Sequence, residues 1–226
     1  MLTLENVCYM YQTKAQTVEA LRGVSAEFEV GRFYALVGPS GSGKTTLLSL
    51  LAGLDVPGSG EIRWNGESTR TMDLDRFRFE HVSVIYQNFN LFAHLTALEN
   101  AAYPLYLRGI SKKAAEAKAA DKLKQVGISE DKLNRLPSHL SGGEQQRVAI
   151  ARALASDTEL ILADEPTGNL DSENGNRIIE LLSDLAHREN RCVVVVTHDP
   201  KVAGQADGVL QMTDGRLCPA GQVGIG

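Results

Sequence analysis

Four short apolar runs constrain the fold more than anything else in this chain: FYALV (33–37), VSVIY (82–86), LILA (160–163) and CVVVV (192–196). Each is continuous rather than alternating, which is how strands covered on both faces of a parallel sheet read. Helix-forming stretches lie between them, so a parallel α/β sheet with crossover helices follows. Each run also ends at residues that carry chemistry. A glycine loop follows the first, Gln87 the second, Asp164-Glu165 the third and Thr197-His198 the fourth. Ligands of open α/β sheets bind outside the carboxyl ends of the strands, and all four groups fall there.

The remainder follows other periodicities. LTLENVCYMY and VSAEFEV tend to alternate, and EIRWNGE (61–67) reads as a strand with an Asn-Gly turn. Residues 1–30 and 60–67 are therefore expected to form an antiparallel β lobe, with 31–87 and 145–216 as the core. Residues 90–140 form a helical insert in this reading. Within it Ser111 can cap a helix whose Ala115, Ala119, Leu123 and Val126 share one face, with Gly127 as the stop. The glycine-rich end, Gly215–Gly226, is expected to fray, and 217–226 to form a flexible tail.

Bulk properties exclude more than they identify. A net charge of -5 argues against a nucleic-acid partner, whose binders present a basic face. Cys8, Cys192 and Cys218 are odd in number and scattered, which suits a reducing cytoplasm better than a disulfide framework. No apolar run approaches the roughly 20 residues that span a bilayer, and MLTLENV lacks the pattern of a secretory leader. Direct membrane insertion is not expected.

The residues Gly38, Pro39, Ser40, Gly41, Ser42, Gly43, Lys44, Thr45 and Thr46 contain G-x-x-x-x-G-K-[ST] between a strand and a helix-forming run. Glycines let successive backbone N–H groups turn toward one anion, and the helix N-terminus adds its dipole. Lys44 would bridge the outer phosphates of a nucleotide and Thr45 would ligate Mg²⁺. At Asp164-Glu165 one carboxylate suits the metal and the other the attacking water; the bland alternative is a solvated acidic turn. Gln87 offers a neutral amide to Mg²⁺ or water. His198 directly follows the valine run, which puts it beside the phosphates, although a lone histidine is often a surface or core residue. The ring of Tyr11 either stacks on a purine or is a plain aromatic of the β lobe.

A second glycine-opened helix start, LSGGE at 140–144, raises a different question. Ser141 with Glu144 three residues on is a capping box. Gly142 and Gly143 are not needed for a cap, and each costs about 1 kcal/mol relative to alanine inside a helix. Backbone free of side chains at a helix start suits close approach to phosphate, so the chain holds two candidate cradles.

With the glycine loop, Gln87, LSGGE, Asp164-Glu165 and His198 in that order, the chain resembles the nucleotide-binding subunit of ATP-binding cassette (ABC) transporters, over residues 1–216. The resemblance implies a P-loop NTPase fold with a RecA-like core, ATP and Mg²⁺ as cofactors, and an ATPase. It also answers the question of two cradles. In that family two chains pair head-to-tail, and Ser141, Gly142 and Gly143 would contact the γ-phosphate held by the partner copy. By position, Glu165 matches the catalytic base, His198 the switch histidine, and Asp171 the loop that couples the two sites. YQNFNLFAHLTALEN (86–100) and LADEPTGNLDSENG (162–175) resemble the branch of macrolide exporters, lipoprotein-release systems, antimicrobial-peptide resistance transporters and the cell-division ATPase. The implied partners are a second copy and integral-membrane permease subunits. The implied place is the cytoplasm, on the inner face of the cell membrane through the permease. Control of envelope enzymes without transport is the alternative within that branch.

Overall fold

In a computed structural model, residues 1–12 and 17–219 are described, and the chain divides into two compact units. The first comprises Met1–Val82, Glu159–Asp164 and the chain from Leu182 onward; the second comprises Ser83–Thr158 and Glu165–Leu181.

In the first unit, β1 (Leu2–Gln12) and β2 (Thr17–Phe28) pair antiparallel. After β3 (Phe33–Val37) and α1 (Lys44–Leu51), the chain adds β4 (Ser59–Trp64) and β5 (Glu67–Ser68), giving a sheet of order β2-β1-β4-β5. Trp64 pairs with Glu67 across Asn65-Gly66, whose φ values of 49° and 86° are those of a type I′ turn. This is the expected antiparallel lobe. Its inward face carries Leu2, Leu4, Val7, Leu21, Phe28 and Ile62, all buried. Trp64 is buried with them, its ring centroid 6.0 Å from that of Phe77 on α2 (Leu74–His81).

The valine and leucine runs make the second sheet. β6 (Val82–Ile85) leads out of the first unit, and β7 (Leu160–Asp164) and β8 (Cys192–Val196) return to it. β3 pairs parallel with β8, and β8 pairs parallel with β7. β9 (Gly208–Thr213) joins the other side of β3, also parallel. Cys192–Val196 is buried along its whole length, and burial of each such apolar side chain stabilises by about 1.5–3 kcal/mol. Leu36 lies opposite Val196, and Val196 opposite Asp164, so three strands end in register at one edge.

The glycine-rich end departs from expectation. Arg216–Pro219 forms β10, antiparallel to β9 across a turn in which Asp214 and Gly215 both take positive φ. An Asp-Gly pair between strands is a hairpin signal that the run of glycines beyond it obscures. The rest of the expected tail lies outside the described residues.

The second unit is mostly helical: α3 (Ala97–Leu107), α4 (Lys112–Gln125), α5 (Gly142–Ala155) and the start of α6 (Ser172–His187), which continues into the first unit. Two single-turn 3₁₀ helices, Glu130–Lys132 and Pro137–His139, link α4 to α5. Ala115, Ala119, Leu123 and Val126 are buried as their spacing requires, and Gly127 follows with φ 77°. Ser111 stands at the N-cap, but its hydroxyl makes no capping hydrogen bond; the cap expected there is a matter of position only. A four-residue helix, α7 (Pro200–Ala203), follows His198. Among the described residues no helix is long and apolar enough to cross a membrane.

Candidate functional site

The edge where β3, β7 and β8 end collects the first group of candidates. Beyond Val37 the chain enters Gly38–Gly43 and leaves it as α1. Gly38 has φ 152°, and a Cβ there would sit 2.1 Å from the Met212 carbonyl oxygen of β9, so only glycine fits. Gly43 is the N-cap of α1, left-handed, with no side chain capping the helix. The first N–H groups of a helix lack intrahelical acceptors, and here nothing from a side chain satisfies them at the N-cap. The Ser42 hydroxyl, in a residue only 4 % exposed, is buried without a hydrogen-bond partner among the described residues. A loop with unclaimed donors, an orphaned hydroxyl and a dipole pointing outward fits a phosphate chain.

Lys44 folds back over this loop, its Nζ donating to the Gly38 and Pro39 carbonyls at 2.8 Å each. Thr45 Oγ1 donates to Asp164 Oδ2 at 3.2 Å, joining the start of α1 to the end of β7. A hydroxyl and a carboxylate are hard oxygen donors. Mg²⁺ takes few protein ligands and completes its octahedron with water and phosphate. The pair therefore fits Mg²⁺ beside a nucleotide, and no group of three or more His, Cys, Asp or Glu among the described residues offers a rival metal site.

Two more candidates belong to this unit. The buried Thr197 donates its backbone N–H to Leu36 O at 3.1 Å, so the exposed His198 leaves β8 next to the entry of the glycine loop. Tyr11, 45 % exposed, brings its hydroxyl within 3.2 Å of Thr46 Oγ1, and its ring meets Tyr9 edge-on with centroids 5.0 Å apart. An exposed aromatic is thus anchored at the start of α1.

The second unit carries Gln87, Ser141–Gly143, Glu165 and Asp171. Ser141 and Glu144 form the complete capping box: Ser141 N–H donates to Glu144 Oε2 at 2.8 Å, and Glu144 N–H donates to Ser141 Oγ at 3.3 Å. Lys132 Nζ donates to the other Glu144 oxygen at 2.6 Å, and these contacts hold the carboxyl below its ordinary 4.5. The two glycines differ. Gly142 is exposed, and a Cβ on it would meet nothing nearer than 3.9 Å. A Cβ on Gly143 would sit 3.2 Å from the Asn169 carbonyl oxygen. A tight contact inside the chain therefore bears on Gly143, while none bears on Gly142.

Glu165 has φ 48°, a left-handed conformation that a non-glycine residue adopts only at a cost. Asp171 caps the start of α6: Oδ1 accepts from Asn174 N–H at 2.9 Å and Oδ2 from Asn174 Nδ2 at 2.6 Å, which keeps this exposed carboxyl below its usual range. Gln87 is exposed, and its carbonyl accepts from Asn169 Nδ2 at 3.5 Å. Asn169 thus touches both the Gln87 loop and the start of α5. Sequence reasoning misses it, although it stands in the same GNLD run that draws attention to Asp171.

The model of the ABC transporter family matches residues 21–168. The ATP-binding protein LolD of a lipoprotein-releasing system, from Chromohalobacter salexigens, is 44% identical over 220 residues, 96% of this chain and 92% of LolD. The macrolide export ATP-binding/permease protein MacB of Salmonella typhimurium is 42% identical over 220 residues, which are 96% of this chain and 34% of MacB. The dimeric structure of MJ0796, a bacterial ABC transporter cassette, superposes with a TM-score of 0.92 at 39% identity, covering 96% of each chain. With a glycine loop closing β3, a Thr45–Asp164 pair beside it and a glycine-opened α5, the chain belongs to the ABC transporter family, as an ATP-binding subunit.

Proposed function

We propose that two copies of this chain pair head-to-tail, so that each ATP meets Gly38–Thr46 of one copy and Ser141–Gly143 of the other. Closure, hydrolysis and reopening of the pair then do mechanical work on permease subunits, for export or extrusion. One observation carries this reading: α5 begins with an exposed serine and an exposed glycine in a chain that already owns a full phosphate loop. Two further facts support it. MJ0796 is a dimer, and one of its structures is a post-hydrolysis state bound to ADP and Pi. LolD and MacB are named for systems that release lipoproteins and export macrolides.

In this reading the two units serve one nucleotide-binding domain. Thr45 and Asp164 would hold Mg²⁺, with Gln87 reaching the metal or the water; bound there, the ion would neutralise charge on the phosphate oxygens. Lys44 exchanges its carbonyl partners for the outer phosphates. Tyr11 stacks on the adenine. The Glu165 carboxylate takes the proton of the attacking water, and His198 donates to the γ-phosphate. Asp171 carries the state of one site to the other through the start of α6. Loss of the γ-phosphate removes contacts that both copies make, so the pair reopens. The permease segment docks beside Phe89, Leu91, Phe92 and Leu95. Phe92 is 38 % exposed while its ring packs on Tyr103 at 4.6 Å. The chain then works in the cytoplasm, held at the membrane by the permease.

The Glu165→Gln variant tests the pairing. With Mg²⁺-ATP it should form a stable dimer by light scattering, where the wild type turns over and reopens. A variant that binds ATP yet remains monomeric would sink the head-to-tail scheme. Recovery of the same variant from native membranes tests the permease: co-purification with soluble proteins alone would remove that part.

A further inference from the structure

We propose that Arg152 is a positioning residue for ATP hydrolysis, tying the loop that carries Gln87 to the helix that opens at Ser141 so that the two move as one piece. The inference rests on the roles given above to Gln87 and Ser141.

Arg152 lies on α5, about three turns beyond Gly142. Its Nη1 donates to the Asn90 carbonyl at 2.6 Å and its Nη2 to the Phe89 carbonyl at 2.8 Å. A guanidinium is a planar fork with fixed donor directions, and two consecutive carbonyls match it only if the backbone presents both to the same side. The backbone does so through an uncommon conformation: Phe89 and Asn90 have φ of 52° and 49°. Asparagine tolerates that region, but a bulky aromatic is a genuine exception there. Such a turn persists only where its surroundings determine it. Internal bonds alone are meagre, a Phe89 N–H to Tyr86 O at 3.3 Å and a contact of Asn90 N–H with the Asn88 carbonyl.

The fork commits a charge to this task. Burial pushes the Arg152 guanidinium below its ordinary range, with the Tyr86 phenol as the opposing influence. Charges withdrawn from water are usually paired, whereas this half-buried one faces two backbone oxygens. Asn169 Nδ2 reaches the carbonyl of Gln87 itself at 3.5 Å. The Gln87 loop therefore has two anchors. One of them is rooted in the helix whose first turn would meet the partner's nucleotide. A shift of α5 on pairing would carry Phe89 and Asn90 with it and reset Gln87.

Arg152→Lys is the test, since an ammonium keeps the charge but cannot fork. In the nucleotide-free full chain, hydrogen exchange of the segment around Phe89 and Asn90 should speed up by about ten-fold, the cost of one charge-assisted hydrogen bond. Segments from β3 and β8 should not change. Under Mg²⁺-ATP, kcat should fall by about ten-fold with KM within about two-fold. Asn90→Gly in the same background should restore part of kcat, because glycine takes positive φ without help. Equal losses of kcat, KM and melting temperature with no rescue would mean mere packing and overturn the proposal. So would a loosened loop with unchanged kcat, or unchanged loop exchange. In the wild type under mild denaturant, amides of 88–92 and of α5 should lose protection together, and separate openings would overturn the tie even if the variant does not fold. A wild type without ATPase activity would instead refute the site reading, since the exchange measurements do not need turnover.

Discussion

Glycine stands at the N-cap of α1 and in the first turn of α5, and the two helices begin in opposite ways. α1 starts from a left-handed Gly43 with no side-chain cap, while α5 starts from Ser141 with a reciprocal capping box reinforced by Lys132. The first leaves its opening donors for something outside the chain. The second satisfies itself from within and keeps little beyond a serine hydroxyl and the bare backbone of Gly142. Under the proposed function the difference teaches which cradle leads: α1, with its donors open, would hold phosphate, and α5, closed by its own cap, would touch phosphate held elsewhere.

The contrast breaks most visibly at Lys44. Lys44→Ala should lower ATP hydrolysis by about 10²–10³-fold, the effect of removing one donor from a charged transition state, while melting changes little because Lys44 Nζ bonds to the loop carbonyls beside it. Steady-state hydrolysis and a thermal melt decide it. The glycines sharpen the contrast at α5. Gly142→Ala has room for its methyl group and gains helix propensity of about 1 kcal/mol, so the chain should melt no lower. Trapping of the Glu165→Gln dimer should nonetheless weaken by about ten-fold, as for the loss of one charge-assisted bond. Gly143→Ala meets the Asn169 carbonyl and should destabilise the monomer itself. If both variants melt alike, the distinction between the two glycines is lost.

Much of this contrast is legible in the amino-acid sequence, because it is local. The capping box is two residues three apart, the Asn-Gly turn is a dipeptide, and the buried strands are unbroken runs such as CVVVV. What escapes is of two kinds. Asp214-Gly215 is legible in principle, but the glycines after it suggest a frayed tail where β9 and β10 form a hairpin. Arg152 is not legible at all. Its partners lie 62 and 63 residues away, and they are backbone oxygens, which no side-chain pattern announces. Gly143 is the intermediate case: its residue type stands out in the sequence, but its tight contact, the Asn169 carbonyl, lies 26 positions further along the chain and shows only in the folded molecule.

Smaller effects test the cap of α5. Ser141→Ala removes the hydroxyl that accepts from Glu144 N–H and should cost about 1 kcal/mol, or about 2–4 °C in melting temperature for a chain of this size. The smallest effect is in pH. Glu144 titrates below its ordinary 4.5 in the folded chain, so its contribution is complete above that value and is lost as pH falls through the lower folded value. Urea midpoints measured from about pH 5 downward should therefore decline less steeply in Glu144→Gln than in the wild type. Parallel curves would show that the Lys132 contact contributes nothing.

The chain has one tryptophan, and Trp64 is buried in the antiparallel lobe of the first unit. Its emission is consequently a private reporter, silent about α3, α4 and α5. Far-ultraviolet circular dichroism is weighted the other way, toward those helices. Melted side by side, the two optical signals ask whether the molecule comes apart in one cooperative event or lets its helical half go first, with no label attached.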